Sequence, residues 1–245
     1  MSHSDARALG HVADADGLQA VLFDMDGTLV ETEQYWGEAM FELAAALGGR
    51  MSEEARAATV GSTMRRSMRI LHADLGVVRD EDQLQADARW VTDRTAELMA
   101  AGIDWQPGAR DLLVAVRAAG LTTALVTTTP RRIAEIVLGA IREDLGRDPF
   151  DLTVCGDEVP ARKPDPAPYL QAMAALGVEP GECVVIEDSQ PGIASGLAAG
   201  VAVLGVPTVQ VPATPGLTLR ASLVGTDVPL LEQLLRPRDL ATADA

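Results

Sequence analysis

The chain has 245 residues and a net charge of −16, with 47% hydrophobic and 23% charged residues. That balance belongs to a soluble globular protein, and the acidity argues against a nucleic-acid partner, which needs a basic face. Aromatics are only 3%, so the core has to be built from Ala, Val, Leu and Ile.

Residues 1–17 contain no apolar stretch of signal-peptide type, and they read as a loose tail, as do residues 236–245. No run approaches the length of a membrane span, so a cytoplasmic setting without a membrane partner is expected. From residue 18 the pattern alternates. QAVLFDMDG is a short apolar run that ends in acids and glycine, the mark of a buried strand followed by a turn. LTTALVTTTP, DLTVCGDE, ECVVIEDS and VAVLGVP repeat it. Between them lie the helical patterns ARDLLVAVRAAG, RRIAEIVLGAIRED, DPAPYLQAMAALG and PGIASGLAAG. Apolar strands alternating with helices predict an α/β fold: a Rossmann-like parallel sheet with helices on both faces.

One stretch interrupts the alternation. Residues 34–105 show helical patterns and no buried strand. They predict an inserted all-helical cap domain, with Pro107 and Gly108 as a hinge. The core is then 18–33 together with 106–235. The proline-rich PTVQVPATPG, from Pro207 to Gly216, is expected to be an ordered loop leading off the last strand. Cys155 and Cys183 sit in apolar runs and read as small hydrophobes in buried strands. His11 and His72 have no acid or metal-ligand pattern nearby and receive no role.

In a parallel sheet, ligands bind at the carboxyl ends of the strands. The informative polar residues all fall there. Asp24 and Asp26 close the first strand. Glu187 and Asp188 close a later one. Acids brought together repel one another and call for a cation; oxygen donors of this kind suit Mg²⁺. Thr127 ends the strand LTTALV, and Pro130 stands where a helix begins, an arrangement suited to holding a phosphate. Lys163 is the only lysine in the chain; every other Lys or Arg is arginine. An ammonium is a compact point charge, whereas a guanidinium is a wide planar fork. A crowded site holding phosphoryl group, carboxylate and Mg²⁺ has room for the former.

Taken in order, DMDGT, the strand-end Thr127, Lys163 in KPDP and Glu187–Asp188 in IEDS resemble the four motifs of the haloacid dehalogenase superfamily, from about residue 19 to 235. The resemblance implies a phosphatase acting on a small phosphate monoester, a sugar phosphate or phosphoglycolate. Asp24 would be the nucleophile and Asp26 the general acid and base. Mg²⁺ would be held by Asp24, the backbone carbonyl of Asp26 and Asp188, with Glu187 in support. Lys163, Thr127, Thr128 and Gly27 would surround the phosphate. Trp36, Thr63, Arg65 and Arg66 lie where cap residues of the family set specificity.

The departures separate subfamilies. True dehalogenases lack an acid at the position of Asp26. Phosphonate-cleaving relatives need a cap lysine, and there is none. Beta-phosphoglucomutase carries a histidine where this chain has Trp36, and an arginine where it has Met64, although Arg65 and Arg66 stand beside it. Phosphatase is therefore preferred to sugar-phosphate mutase, and both to a non-catalytic binding protein on the same fold.

Overall fold

The computed structural model describes residues 17–60, 62–100, 102–207 and 210–235. The expected tails lie outside them, save for Gly17.

The sheet is built from β1 (Ala20–Phe23), β4 (Thr122–Val126), β5 (Leu152–Val154), β6 (Cys183–Glu187), β7 (Ala202–Gly205) and β8 (Leu217–Leu219). Their order is β5-β4-β1-β6-β7-β8, and every pairing is parallel. Side chains alternate between the faces, as strand geometry requires. Val21 and Phe23 of β1 enter one apolar cluster; Ala20 and Leu22 enter the other. Helices α5 (Ala109–Ala118), α6 (Arg131–Leu145) and α9 (Val228–Leu235) cover the first face. Helices α7 (Ala167–Leu176) and α8 (Gln190–Ala198) cover the second. With both faces covered, β1 and β6 are buried along their whole length, which is why they read as unbroken apolar runs. Cys183 opens β6 and Cys155 follows β5; both are free and fully buried, and burial pushes their thiols up to about 12.

The chain leaves this core after β2 (Val30–Glu31) and returns through β3 (Asp104–Trp105), the two forming a short antiparallel ribbon. The intervening cap consists of α1 (Glu33–Ala46), α2 (Glu53–Thr59), α3 (Met64–Leu75) and α4 (Glu81–Ala100). It has its own apolar cluster around Met40, Leu43, Met68, Leu71 and Val91. Ala96 and Met99 near the end of α4 belong to the first core cluster instead, so α4 ties the cap to the core. Asp93 of α4 and Arg132 of α6 add an ion pair at 2.6 Å.

Two expectations change. β7 is not the last strand: the proline-rich segment leads into β8, which adds to the edge of the sheet. Three residues, only one of them buried, give too short a signal for periodicity. His72 does have an acidic partner. Its Nε2 lies 2.9 Å from Asp87 Oδ2, with both side chains largely buried between α3 and α4. The partner stands 15 residues away, beyond any local pattern. Among the described residues no helix is long and apolar enough to cross a membrane.

Candidate active site

Three adjacent strands deliver the key groups. Asp24 follows β1, and its N–H donates to Ile186 O of β6 at 3.0 Å. Glu187 ends β6, and Val126 ends β4. Lys163 arrives from the loop before α7 and joins all three. Its Nζ donates to Asp24 Oδ1 at 2.6 Å, to Glu187 Oε1 at 2.6 Å and to Val126 O at 2.7 Å. The lysine side chain is 2% exposed. Burial works against the ammonium, but Asp24 and Glu187 outweigh it and hold the amine above its usual range.

Carboxylate oxygens of Asp24, Glu187 and Asp188 lie within 4.8 Å of one another. Burial, then the Glu187 charge, raises Asp24 well above the usual carboxylate range, against the pull of Lys163. The same two causes raise Asp188 to about 7, while the Thr28 hydroxyl, donating to Oδ1 at 2.9 Å, opposes the shift. Gly27 sits at φ 82°, in the left-handed region open to glycine. A Cβ there would lie 2.3 Å from Asp188 Oδ2, so the glycine makes room for the acid. Its N–H donates to Val30 O at 2.8 Å.

Asp26 points elsewhere. Its Oδ1 accepts from Thr32 Oγ1 at 2.8 Å; its Oδ2 accepts from Thr129 Oγ1 at 2.7 Å and from Thr127 Oγ1 at 3.2 Å. Thr127 is buried, and its hydroxyl also accepts from Thr129 N at 3.0 Å. Thr128 is exposed in the same turn. The first N–H of α6, on Arg131, is taken by Asp157 Oδ1 at 2.8 Å rather than left open.

Sequence reasoning singled out neither Thr32 nor Thr129, because a threonine beside a helix start reads as a cap. It also passed over Tyr169, whose hydroxyl donates to Glu187 Oε1 at 2.8 Å, and Ser189 beyond Glu187. In the cap, Thr63 is the N-cap of α3 and accepts from Arg66 N at 3.4 Å. Arg65 forms a two-pronged pair with Glu81 on the surface. Trp36 packs between the cap cluster and the core cluster. Among the described residues none of these three makes a hydrogen bond or ion pair with Asp24, Glu187 or Asp188. A cavity of about 510 Å³ lies on the cap between α1 and α2, against Gly37, Phe41 and Arg56. Arg56 there donates to the carbonyl and carboxylate of Glu33, both at 2.8 Å.

Fold and site together define an enzyme class: a Rossmann-like core with acids and a lysine at the carboxyl ends of its central strands, under a helical cap. Comparison with known proteins agrees. A family model described as haloacid dehalogenase-like hydrolase matches residues 18–200. Protein CbbY of Rhodobacter capsulatus is 34% identical over 195 residues, 78% of this chain and 86% of that protein. A phosphorylated carbohydrates phosphatase of Thermotoga maritima is 33% identical over 184 residues, covering 75% and 82%. The crystal structure of a CbbY variant from Rhodobacter sphaeroides, in complex with xylulose-(1,5)bisphosphate, superposes with a TM-score of 0.74 at 28% identity, over 88% of this chain and 99% of that one. The chain belongs to the haloacid dehalogenase-like hydrolases.

Proposed function

We propose that the protein is a Mg²⁺-dependent phosphatase that hydrolyses a small phosphate monoester of the sugar-phosphate class through an aspartyl-phosphate. The observation that carries this reading is the Lys163 ammonium, seated between Asp24, Val126 O and Glu187, while Asp24 Oδ2 has no donor among the described residues. A buried carboxylate with one oxygen steered by an ammonium and the other free is poised as a nucleophile. The relative that acts on phosphorylated carbohydrates, and the bisphosphate-bound structure, support the sugar-phosphate class.

The residues fit Mg²⁺. Three carboxylates face one ammonium in a buried site, and the excess negative charge is of the kind a hard cation relieves. Asp24, Asp188 and the backbone carbonyl of Asp26 would hold it, with Glu187 alongside. When bound, it supplies positive charge against the phosphoryl oxygens.

The chain's own groups do the rest. Asp24 Oδ2 attacks phosphorus, and the bond from phosphorus to the ester oxygen breaks. Asp26 gives that oxygen a proton, then takes one from the water that hydrolyses the acyl phosphate. A hydroxyl both donates and accepts, so Thr32, Thr127 and Thr129 satisfy Asp26 in either protonation state. Lys163 carries charge developing on the equatorial oxygens. Thr127, Thr128 and Gly27 border the phosphate position, and the cap, residues 34–105, excludes bulk water. Trp36, Thr63 and Arg65 remain the cap candidates for reading the substrate; Arg65 would first have to leave Glu81.

The test is phosphate release from sugar phosphates, phosphoglycolate and nucleotides, with and without Mg²⁺. Mg²⁺-dependent release that Asp24→Asn abolishes, in a protein that stays folded, is the expected result. An isomer formed without phosphate would select the mutase. No reaction with any ester, together with an unchanged cellular effect of Asp24→Asn, would select a binding protein.

A further inference from the structure

Glu187 belongs to the acidic cluster, yet the protein saturates it. Oε1 accepts from Lys163 Nζ at 2.6 Å and from Tyr169 OH at 2.8 Å. Oε2 accepts from Ser189 Oγ at 3.1 Å and from Ser189 N at 3.3 Å. A carboxylate offers about four lone-pair positions, and here each faces a donor. The residue is fully buried. Gly192 closes its remaining side: a Cβ there would lie 1.9 Å from Oε1. Asp24 differs, with Oδ2 free of donors among the described residues. Asp188 differs too: it is only partly buried and accepts a hydrogen bond from Thr28 on Oδ1.

We propose that Glu187 is the fixed counter-charge of Lys163 rather than a ligand of the cation, and that Tyr169 is the positioning residue that holds this pair. The proposal rests on the phosphatase reading above and deepens it, dividing the acids into ligands, Asp24 and Asp188, and an anchor. A cation contact at Glu187 would have to displace an ammonium, a hydroxyl or a backbone N–H. Tyr169 touches both members of the pair. Its hydroxyl bonds Glu187, and its ring centroid lies 5.0 Å from Lys163 Nζ. The aromatic face favours the cation while the hydroxyl fixes the anion. The three ammonium protons then have three set acceptors, and Lys163 is held at one place beside Asp24.

The lone lysine makes this measurable. Nitrogen-15 lysine labelling gives a single side-chain ammonium signal from Lys163. Tyr169→Phe keeps the ring and removes the hydroxyl. It is expected to speed ammonium proton exchange about tenfold and lower kcat about tenfold, with KM unchanged, as loss of an outer hydrogen bond does. Wild-type exchange and wild-type kcat in this variant would overturn the positioning role. For the ligand question, Mn²⁺ stands in for Mg²⁺, and water-proton relaxation counts the waters bound to it. Glu187→Gln should leave that count unchanged, whereas Asp188→Asn should raise it. An equal rise in Glu187→Gln would make Glu187 a ligand and overturn the proposal. The ammonium-exchange and Mn²⁺ readouts need no substrate. Failure of every ester in the release assay would therefore sink the phosphatase reading while the ammonium and Mn²⁺ signals still decide this one.

Discussion

Thr32 Oγ1 donates to Asp26 Oδ1 at 2.8 Å, although Thr32 stands at the N-cap position of α1 and its hydroxyl makes no capping bond there. A threonine at that position ordinarily turns back onto its own helix. Here the residue that leads the chain into the cap is tied to the carboxylate proposed as general acid and base. Thr32→Val should therefore cost activity more than stability. One lost hydrogen bond is worth about 1 kcal/mol of unfolding free energy. Misplacing the acid should lower kcat about tenfold, part of what general acid–base catalysis supplies. Thr32→Ser should restore it. Steady-state kinetics beside urea unfolding separate the two effects.

Lys163→Arg tests the fit of the ammonium. Three acceptors converge on Nζ at 2.6 to 2.7 Å in a space that leaves the side chain 2% exposed. A planar guanidinium cannot place one nitrogen among all three without pushing the rest into Tyr169 or the strand ends. Overpacking of this kind costs about 1–3 kcal/mol. Phosphate release should fall about a hundredfold, the scale set by losing one preorganised charge at the reacting group. Near-normal turnover would show that the charge matters and its compactness does not.

What the sequence made legible follows from signal length. β1, β4 and β6 are buried strands four or five residues long, and their apolar runs stand out from the acids that end β1 and β6 and the threonines that follow β4. The cap helices show through their 3.6-residue pattern. β2 and β3 have two residues each and β8 three, too few for any period to appear. At the site, acids and a lone lysine are conspicuous as residue types, but their neutral partners are not. Thr129 is ordinary in a turn and Tyr169 is ordinary on an apolar helix face; only the fold brings them to Asp26 and Glu187. Arg65 shows the converse. Its place in the cap suggests substrate, and no local pattern signals the pair it makes with Glu81, 16 residues on.

Asp188 gives the cation-free protein a characteristic pH response. Its carboxyl is held at about 7 in the fold, by burial and by Glu187, against a value near 4 in the unfolded chain. Between those values the folded state binds the proton that the unfolded state has released. Stability from this group is therefore fully present below about pH 4 and lost as pH rises to about 7. Asp24, raised for the same reasons, acts in the same direction. Unfolding free energy should decline from about pH 5 to about pH 8, less steeply in Asp188→Asn. Added Mg²⁺ favours the ionised acids and should stabilise most at the alkaline end. An equal slope in wild type and Asp188→Asn would mean that other groups set the response.

Gly192 supplies the last test, because its usual behaviour should be reversed. Alanine in place of glycine inside a helix ordinarily stabilises by up to about 1 kcal/mol. Gly139 in α6 should follow that rule, since a Cβ there meets nothing within 4 Å. In α8 a Cβ at 192 would lie 1.9 to 2.1 Å from the carboxylate of Glu187. That carboxylate cannot swing away without leaving Lys163, Tyr169 and Ser189. The helix would have to retreat or the buried ion pair break, and losing a partner from a buried pair costs about 3–5 kcal/mol. Gly192→Ala should therefore unfold at markedly lower urea and lose most of its phosphate release, while Gly139→Ala gains slightly in stability and keeps its activity. If both variants gained stability, α8 would be free to move away from Glu187, and the close approach would not be what fixes the acid.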